Sequence, residues 1–281
     1  MNNKKYVLIT GVSSGIGYDA TRFLINKGYH VFGSVRKEAD KLRLENDFSD
    51  GFTCLQFDVT KKEEVEQSFL RVKEILGNNK LAALVNNAGA LLAGPIELME
   101  DEKFRYQLEV NLFSVRSVTN IFLPLLKGDR KKDIQGGKII MISSISGIFN
   151  TPIIGAYCIS KHAMESLGEI YRRELMMYNI DVVSIQPGPI KSSIWKKNID
   201  QYSEFDGTDY EKSFYIANKL RKIGMRDALP TEVISKIIYK ILARKTKLHF
   251  IVNKNWLATV LFLKFMPARW SDRLIYKFLS K

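Results

Sequence analysis

The chain has 281 residues, 46% of them hydrophobic, which is enough to bury a substantial core in one large α/β domain. Cys54 and Cys158 lie far apart without C-x-x-C spacing and His30, His162 and His249 are scattered, so neither a disulfide framework nor a protein-bound metal is expected. The formal charge of +13 suits anionic partners, but the basic residues are spread along the chain without a finger, helix-turn-helix or RNA-recognition pattern, which argues against specific nucleic-acid binding.

In chain order, short apolar runs alternate with segments of helical period. "YVLIT" (6–10) precedes a helix over about 15–27, "HVFGSV" (30–35) one over 37–46, and "FTCLQF" (52–57) one over 61–76. "LAALVN" (81–86) is followed by a long helical segment over roughly 102–127, and "KIIMIS" (138–143) by a helix at about 155–179. "DVVSIQ" (181–186) leads into a region without clear period, and a helix near 231–243 precedes "LHFIV" (248–252). Continuous apolar strands that are each followed by a helix predict a doubly wound parallel sheet covered on both faces. No linker divides residues 1–252, so a single domain is expected there, with 253–281 as an extension. The N-terminus runs from "MNNKK" straight into the first strand, and the longest apolar stretch, Trp256 to Met266, is short and interrupted by Lys264. A cytoplasmic protein without a membrane span is expected.

After the first strand, Gly11, Gly15 and Gly17 form a G-x-x-x-G-x-G pattern filled by Ser13, Ser14 and Ile16. In a strand–turn–helix unit such glycines let the backbone turn tightly and admit a pyrophosphate to the helix N-terminus. Farther on, Tyr157 and Lys161 are four apart, which puts both on one helix face. A nearby ammonium favours the phenolate, so the pair is expected to lower the tyrosine pKa from about 10 and act as a general acid/base.

The glycine turn is followed by "LVNNAGA" (84–90), "EVNLFSV" (109–115), "MISSISG" (141–147), "AYCISK" (156–161) and "IQPGPIKSS" (185–193). In this order the set resembles the short-chain dehydrogenase/reductase family over residues 5 to about 252. The resemblance implies an NAD(P)-dependent oxidoreductase that interconverts a carbonyl and a secondary alcohol by hydride transfer. It assigns proton transfer to Tyr157, the nicotinamide ribose to Lys161, and the substrate oxygen to Ser144, in preference to Ser143. Asn111 would hold a water of the proton relay. Asn87, Ala88 and Gly89 would line the adenosine side, and Asp58, with Val59 beside it, would contact the adenine; an N-cap role is the alternative for Asp58. Pro187, Gly188, Ile190 and Ser192 would meet the nicotinamide end, with Ser192 standing where the family has threonine.

At the end of the second strand Val35 occupies the position where an acidic residue would select NAD, and Ser34, Arg36 and Lys37 surround it. A hydroxyl and a guanidinium suit a 2′-phosphate, so NADP(H) is favoured, with NAD left open because Ser13 and Ser14 bring no basic residue to the turn. Residues 191–227 lack a regular period and carry Ile194, Trp195, Tyr202, Phe205, Tyr210, Phe214 and Tyr215. They are expected to form a lid over a bulky apolar substrate, steroid-, retinoid- or lipid-like, unless these aromatics pack against the body. A 3-oxoacyl-thioester reductase and a non-catalytic dinucleotide sensor are the alternatives. The tail shows apolar stripes (Trp256, Leu257, Val260, Leu261, Leu263, Phe265, then Leu274, Ile275, Phe278) among basic residues, a pattern fit for packing or peripheral membrane contact. By resemblance, a homo-oligomer formed through the helices near 102–127 and 155–179 is expected.

Overall fold

A computed structural model describes residues 4–192, 204–255 and 265–279. Seven parallel strands form one sheet in the order β3-β2-β1-β4-β5-β6-β7. They are β1 (Lys5–Ile9), β2 (Tyr29–Val35), β3 (Phe52–Gln56), β4 (Leu81–Asn86), β5 (Lys138–Ile142), β6 (Asp181–Pro187) and β7 (His249–Val252). Between them run α1 (Gly15–Ile25), α2 (Glu38–Asp47), α3 (Lys62–Leu76), α4 (Asp101–Leu108), α5 (Ser114–Phe122), α6 (Gly155–Glu174), α7 (Glu211–Arg226) and α8 (Glu232–Ala243), and α9 (Ala268–Leu279) follows β7. The doubly wound arrangement expected from the apolar runs is the one observed.

Side-chain alternation splits the core in two. Val7 and Ile9 of β1 join Leu24 of α1 and Ile234, Ile238 and Ile241 of α8 on one face. Leu8 joins Val65 and Val72 of α3, Val118 and Phe122 of α5, and Met164 of α6 on the other. The α8 residues recur at i, i+4 and i+7, so one stripe is wholly covered, each side chain contributing about 1.5–3 kcal/mol. Where α8 meets α1, the buried Asp19 carboxylate accepts from Ser235 Oγ at 2.6 Å and pairs with Arg22 at 2.7 Å, so it is not left unpartnered.

Two predicted segments differ in detail. The single helix expected over 102–127 is α4 and α5 joined through a widened turn of π type at Glu109–Phe113, centred on Asn111. The region 191–227 is not irregular throughout, because it contains the 16-residue α7. Its apolar stripe is weak, with Phe214 buried but Tyr215 and Ile223 exposed, so the period was submerged in charged residues. Helix α9 packs against α7. Ile194, Trp195, Tyr202 and the stripe from Trp256 to Leu263 lie outside the described residues. Among those described, no helix is long and apolar enough to cross a membrane.

Candidate active site

Strand order reverses between β1 and β4, and at their C-terminal ends a cleft of about 570 Å³ opens, as doubly wound sheets provide. Its floor is the glycine turn. Gly11 has φ +70°, and a Cβ there would stand 2.9 Å from Ala88 Cα. Only glycine accommodates both demands. Thr10 Oγ1 accepts from the backbone N–H groups of Asn87 (3.0 Å) and Ala88 (2.9 Å), while Asn87 Nδ2 donates to the carbonyls of Thr10 (2.8 Å) and Gly11 (2.9 Å). The Asn87 side chain is thus directed into the turn and braces it. Ser34 Oγ accepts from Gly11 N at 3.0 Å, and Arg43 of α2 donates to Ser13 O at 2.6 Å. Ser34, expected beside a phosphate, has its hydroxyl oxygen committed to the turn.

One end of the cleft is lined by Arg36, Lys37, Asp40, Asp58, Val59 and Tyr106. Asp58 shapes the entry into α3 without capping it, because Lys61 is the residue at the N-cap, and it also lines the cleft. Its Oδ1 accepts from Thr60 N (2.9 Å) and Thr60 Oγ1 (2.8 Å) to shape the entry into α3, and Oδ2 lies 3.8 Å from Arg36 Nη1. Arg36 is 57% exposed, so this loose pair leaves its guanidinium available to an anion. Tyr106 and Arg43 escaped the sequence reading. Each belongs to a helix whose facing towards the cleft depends on tertiary packing, although a tyrosine and an arginine on otherwise polar helices were the available signals.

At the other end stand Ser143, Ser144, Tyr157, Lys161, Pro187, Gly188, Ile190 and Ser192. The chain leaves β5 through Ser143 and Ser144, and the Ser144 Oγ accepts from Ser146 N at 3.0 Å, fixing the turn. Ser144 and Tyr157 line the same end of the cleft, where the Ser144 hydroxyl favours the phenolate form of Tyr157. Ser143 Oγ is buried without a hydrogen-bond partner among the described residues. Lys161 Nζ donates to Ile142 O at 2.9 Å and lies 5.7 Å from the Tyr157 ring centre.

The expected lowering of the tyrosine pKa is not what the site shows. Burial pushes Tyr157 up to about 12, with the Ser144 hydroxyl pulling the other way. Burial likewise pushes Lys161 down to about 8, with Glu165 opposing. Desolvation disfavours the charged form of each group, and it outweighs their mutual attraction because the ammonium is turned to the Ile142 carbonyl. A lysine near 8 is poised to exchange protons close to neutral pH.

Asn111 is fully buried in the widened turn. Its Oδ1 accepts from Ala90 N (2.9 Å) and its Nδ2 donates to Ala90 O (2.9 Å) and Ser160 Oγ (3.0 Å). Its side chain therefore ties the loop after β4 to α6. The aromatics of 204–227 largely pack away from the cleft. Phe205 and Phe214 stack at 4.3 Å and form a small third core with Ala93 and Ile153, and Tyr210 donates to Glu97 at 2.6 Å. Ile153 holds φ +72°, a strained value for a β-branched residue, while its carbonyl accepts from Gly94 N at 2.6 Å.

A sequence model of the family described as short chain dehydrogenase matches residues 5–203. The chain is 37% identical over 282 residues to an NADPH-dependent 3-dehydrocapnine reductase of Ornithobacterium rhinotracheale, covering 99% of this chain and 98% of that one. It is 34% identical over 236 residues to retinol dehydrogenase 16 of Mus musculus, covering 79% and 72%. Among solved structures it is similar to ElxO with NADP bound, with a TM-score of 0.71, 26% identity, and 91% and 99% of the two chains covered.

Proposed function

The chain belongs to the short-chain dehydrogenase family, and from that premise we propose that it is an NADP(H)-dependent oxidoreductase that reduces a ketone on a bulky apolar substrate, with Tyr157 as the general acid. The observation that carries this reading is the placing of Tyr157 with Ser144 and Lys161 at one end of the cleft whose floor is the glycine turn. The cleft suits a dinucleotide: at Gly11 any Cβ would fill the turn, Arg36 and Lys37 stand at the far end, and Ser143 offers an unpaired buried hydroxyl. NADP(H) is the cofactor, in keeping with an NADPH-dependent relative and an NADP-bound structural neighbour.

Arg36 and Lys37 hold the 2′-phosphate. Asn87 and Thr10 keep the turn open for the pyrophosphate, and Ala88, Gly89 and Val59 line the adenosine side. Ile190, Ser192, Pro187 and Gly188 bound the nicotinamide end. The bound nicotinamide supplies the hydride. Ser144 orients the carbonyl oxygen of the substrate, and Tyr157 delivers its proton there. A phenol held near 12 stays protonated until that oxygen gains negative charge, and the Lys161 ammonium stabilises the phenolate left behind. Asn111 anchors the relay that returns a proton to Tyr157.

The names of the two relatives, a 3-dehydrocapnine reductase and a retinol dehydrogenase, support an apolar substrate, as do Leu91 and Leu92 in the cleft wall. Residues 1–252 form the catalytic unit, and α9 serves as a packing element that covers α7. Exposed Phe113, Ile159 and Ile170 on the α5 and α6 side support self-association. The test is oxidation of NADPH and NADH by the purified protein against a panel of apolar ketones, steroids and 3-oxoacyl thioesters. NADPH consumption with an apolar ketone is the expected result. Turnover of thioesters alone would replace the substrate class, and turnover with NADH alone would remove the phosphate site.

A further inference from the structure

Helix α6 carries Tyr157, Lys161 and Glu165 at i, i+4 and i+8, so the three share one face. The first two belong to the site just described. Glu165 lies outside the cleft, yet its side chain is only 12% exposed. Both carboxylate oxygens are held by β6: Ser184 Oγ donates to Oε1 at 2.6 Å and Gln186 Nε2 donates to Oε2 at 2.9 Å. Ser184 and Gln186 are two apart on the strand, so both point at α6. The brace is made of neutral donors and leaves the negative charge uncancelled.

Lys161 presents the converse situation. Its ammonium is buried, and the groups it touches are the Ile142 carbonyl and, at 3.6 Å, the Met164 sulfur, both neutral. Around it β5 and the following turn present Ile142, Ser143 and Ser144, the widened turn presents Asn111, and α6 presents Tyr157; none is charged at neutral pH. Around Glu165, β6 presents Ser184 and Gln186, and β7 presents His249, whose Nδ1 lies 3.7 Å from Oε2. Glu165 stands one helical turn from Lys161 on the same face of α6, and its charge favours the ammonium. A buried ammonium without a counter-charge is costly and gives up its proton.

We propose that Glu165 is a positioning residue of the site: clamped by Ser184 and Gln186, its carboxylate supplies from one helical turn away the counter-charge that keeps the buried Lys161 an ammonium. The catalytic meaning of this rests on the assignment of Lys161 made above. Separation by a full turn is functional in itself. A carboxylate in direct contact would occupy the N–H groups that Lys161 needs in the cleft, whereas one held back by β6 acts through its field alone.

The experiment is an NMR titration of protein labelled with ¹³Cε-lysine, in which the Lys161 signal is the one missing from Lys161→Met. It is run on the native chain, Glu165→Gln and His249→Arg, beside the pH profile of NADPH-dependent reduction. In Glu165→Gln the amide oxygen keeps the bond from Ser184, and Gln186 accommodates the change by turning its own amide. The substitution His249→Arg, on the half-exposed strand end, leaves Glu165 in place and cancels its charge, which covers the case that Glu165→Gln does not fold. Both variants are expected to lower the Lys161 midpoint, Glu165→Gln by about one pH unit, and to move the alkaline limb of the rate profile down with it. A midpoint unchanged in both overturns the proposal, and Lys161→Met without turnover in the same series leaves the functional reading standing. A midpoint that moves while Lys161→Met reduces ketones like the native enzyme overturns the assignment of Lys161, and with it the catalytic meaning of Glu165.

Discussion

A Cβ on Gly17 would stand 2.6 Å from the Asn87 amide nitrogen. The same atom would lie 2.4 Å from the Gly11 carbonyl oxygen, which accepts one of the two bonds from Asn87 Nδ2. Helix α1, the turn before it and the end of β4 therefore meet at one point with no room for a methyl group. Gly17→Ala must separate them, and this costs about 1–3 kcal/mol, as overpacking does. NADPH affinity should fall with stability, because the turn that opens is the floor of the cleft proposed for the cofactor. Thermal unfolding and NADPH titration by fluorescence check this; a variant matching the native chain in both would show that the contact is relieved without moving the turn.

Tyr157→Phe separates chemistry from binding. The ring remains and the hydroxyl beside Ser144 is lost, so the cleft keeps its shape without its acid. Turnover should fall by roughly 10²–10⁴-fold, the usual worth of a positioned acid, with the NADPH dissociation constant little changed. Residual turnover within a few-fold of native would point to another proton donor.

The role proposed for Arg36 is to decide between cofactors by charge. It is more than half exposed and only loosely paired with Asp58, so its removal should leave the fold intact. Arg36→Ala is expected to raise the KM for NADPH about tenfold or more while leaving that for NADH nearly unchanged, and the effect should shrink in high salt. Equal changes for both cofactors would mean that Arg36 supports the cleft without reading the phosphate.

The seven strands were legible because each is a largely apolar run, and most of the helices between them because their period is strong; boundaries such as 81–86 needed no adjustment. Asn111 was visible as an interruption in an otherwise helical stretch, and the structure turns that interruption into a widened turn. Helix α7 was not legible, since among its described side chains Phe214 alone is well buried and gives no stripe to count. The destination of Phe205 and Phe214 was hidden for a different reason. Their partners Ala93 and Ile153 come from distant segments, and composition cannot tell a substrate wall from a small core. The pKa reasoning failed in the same way: spacing showed that Tyr157 and Lys161 are neighbours, but not that burial outweighs their attraction.

Burial of Lys161 also predicts how stability responds to pH. Its pKa falls from 10.5 to about 8 on folding, which corresponds to a burden of about 3 kcal/mol on the folded chain wherever the group is charged in both states. Below pH 8 both states hold the proton and the burden is constant. Between pH 8 and 10.5 the unfolded chain holds a proton that the folded one has released, so the Lys161 contribution to stability rises with pH. Tyr157 acts oppositely at higher pH: raised from 10 to about 12, it favours the folded state below pH 10, and that contribution declines between 10 and 12. Lys161→Met removes the burden along with the bond to the Ile142 carbonyl, which is worth about 1 kcal/mol. The variant should be inactive yet more stable than the native chain by roughly 2 kcal/mol at about pH 7, with the advantage shrinking from about pH 8 upward and reversed by about 10.5, where only the lost bond remains. Urea midpoints of the two proteins from about pH 6 to about 10.5 test this. A constant difference over that range would mean that Lys161 is not charged and buried in the folded chain as the site requires.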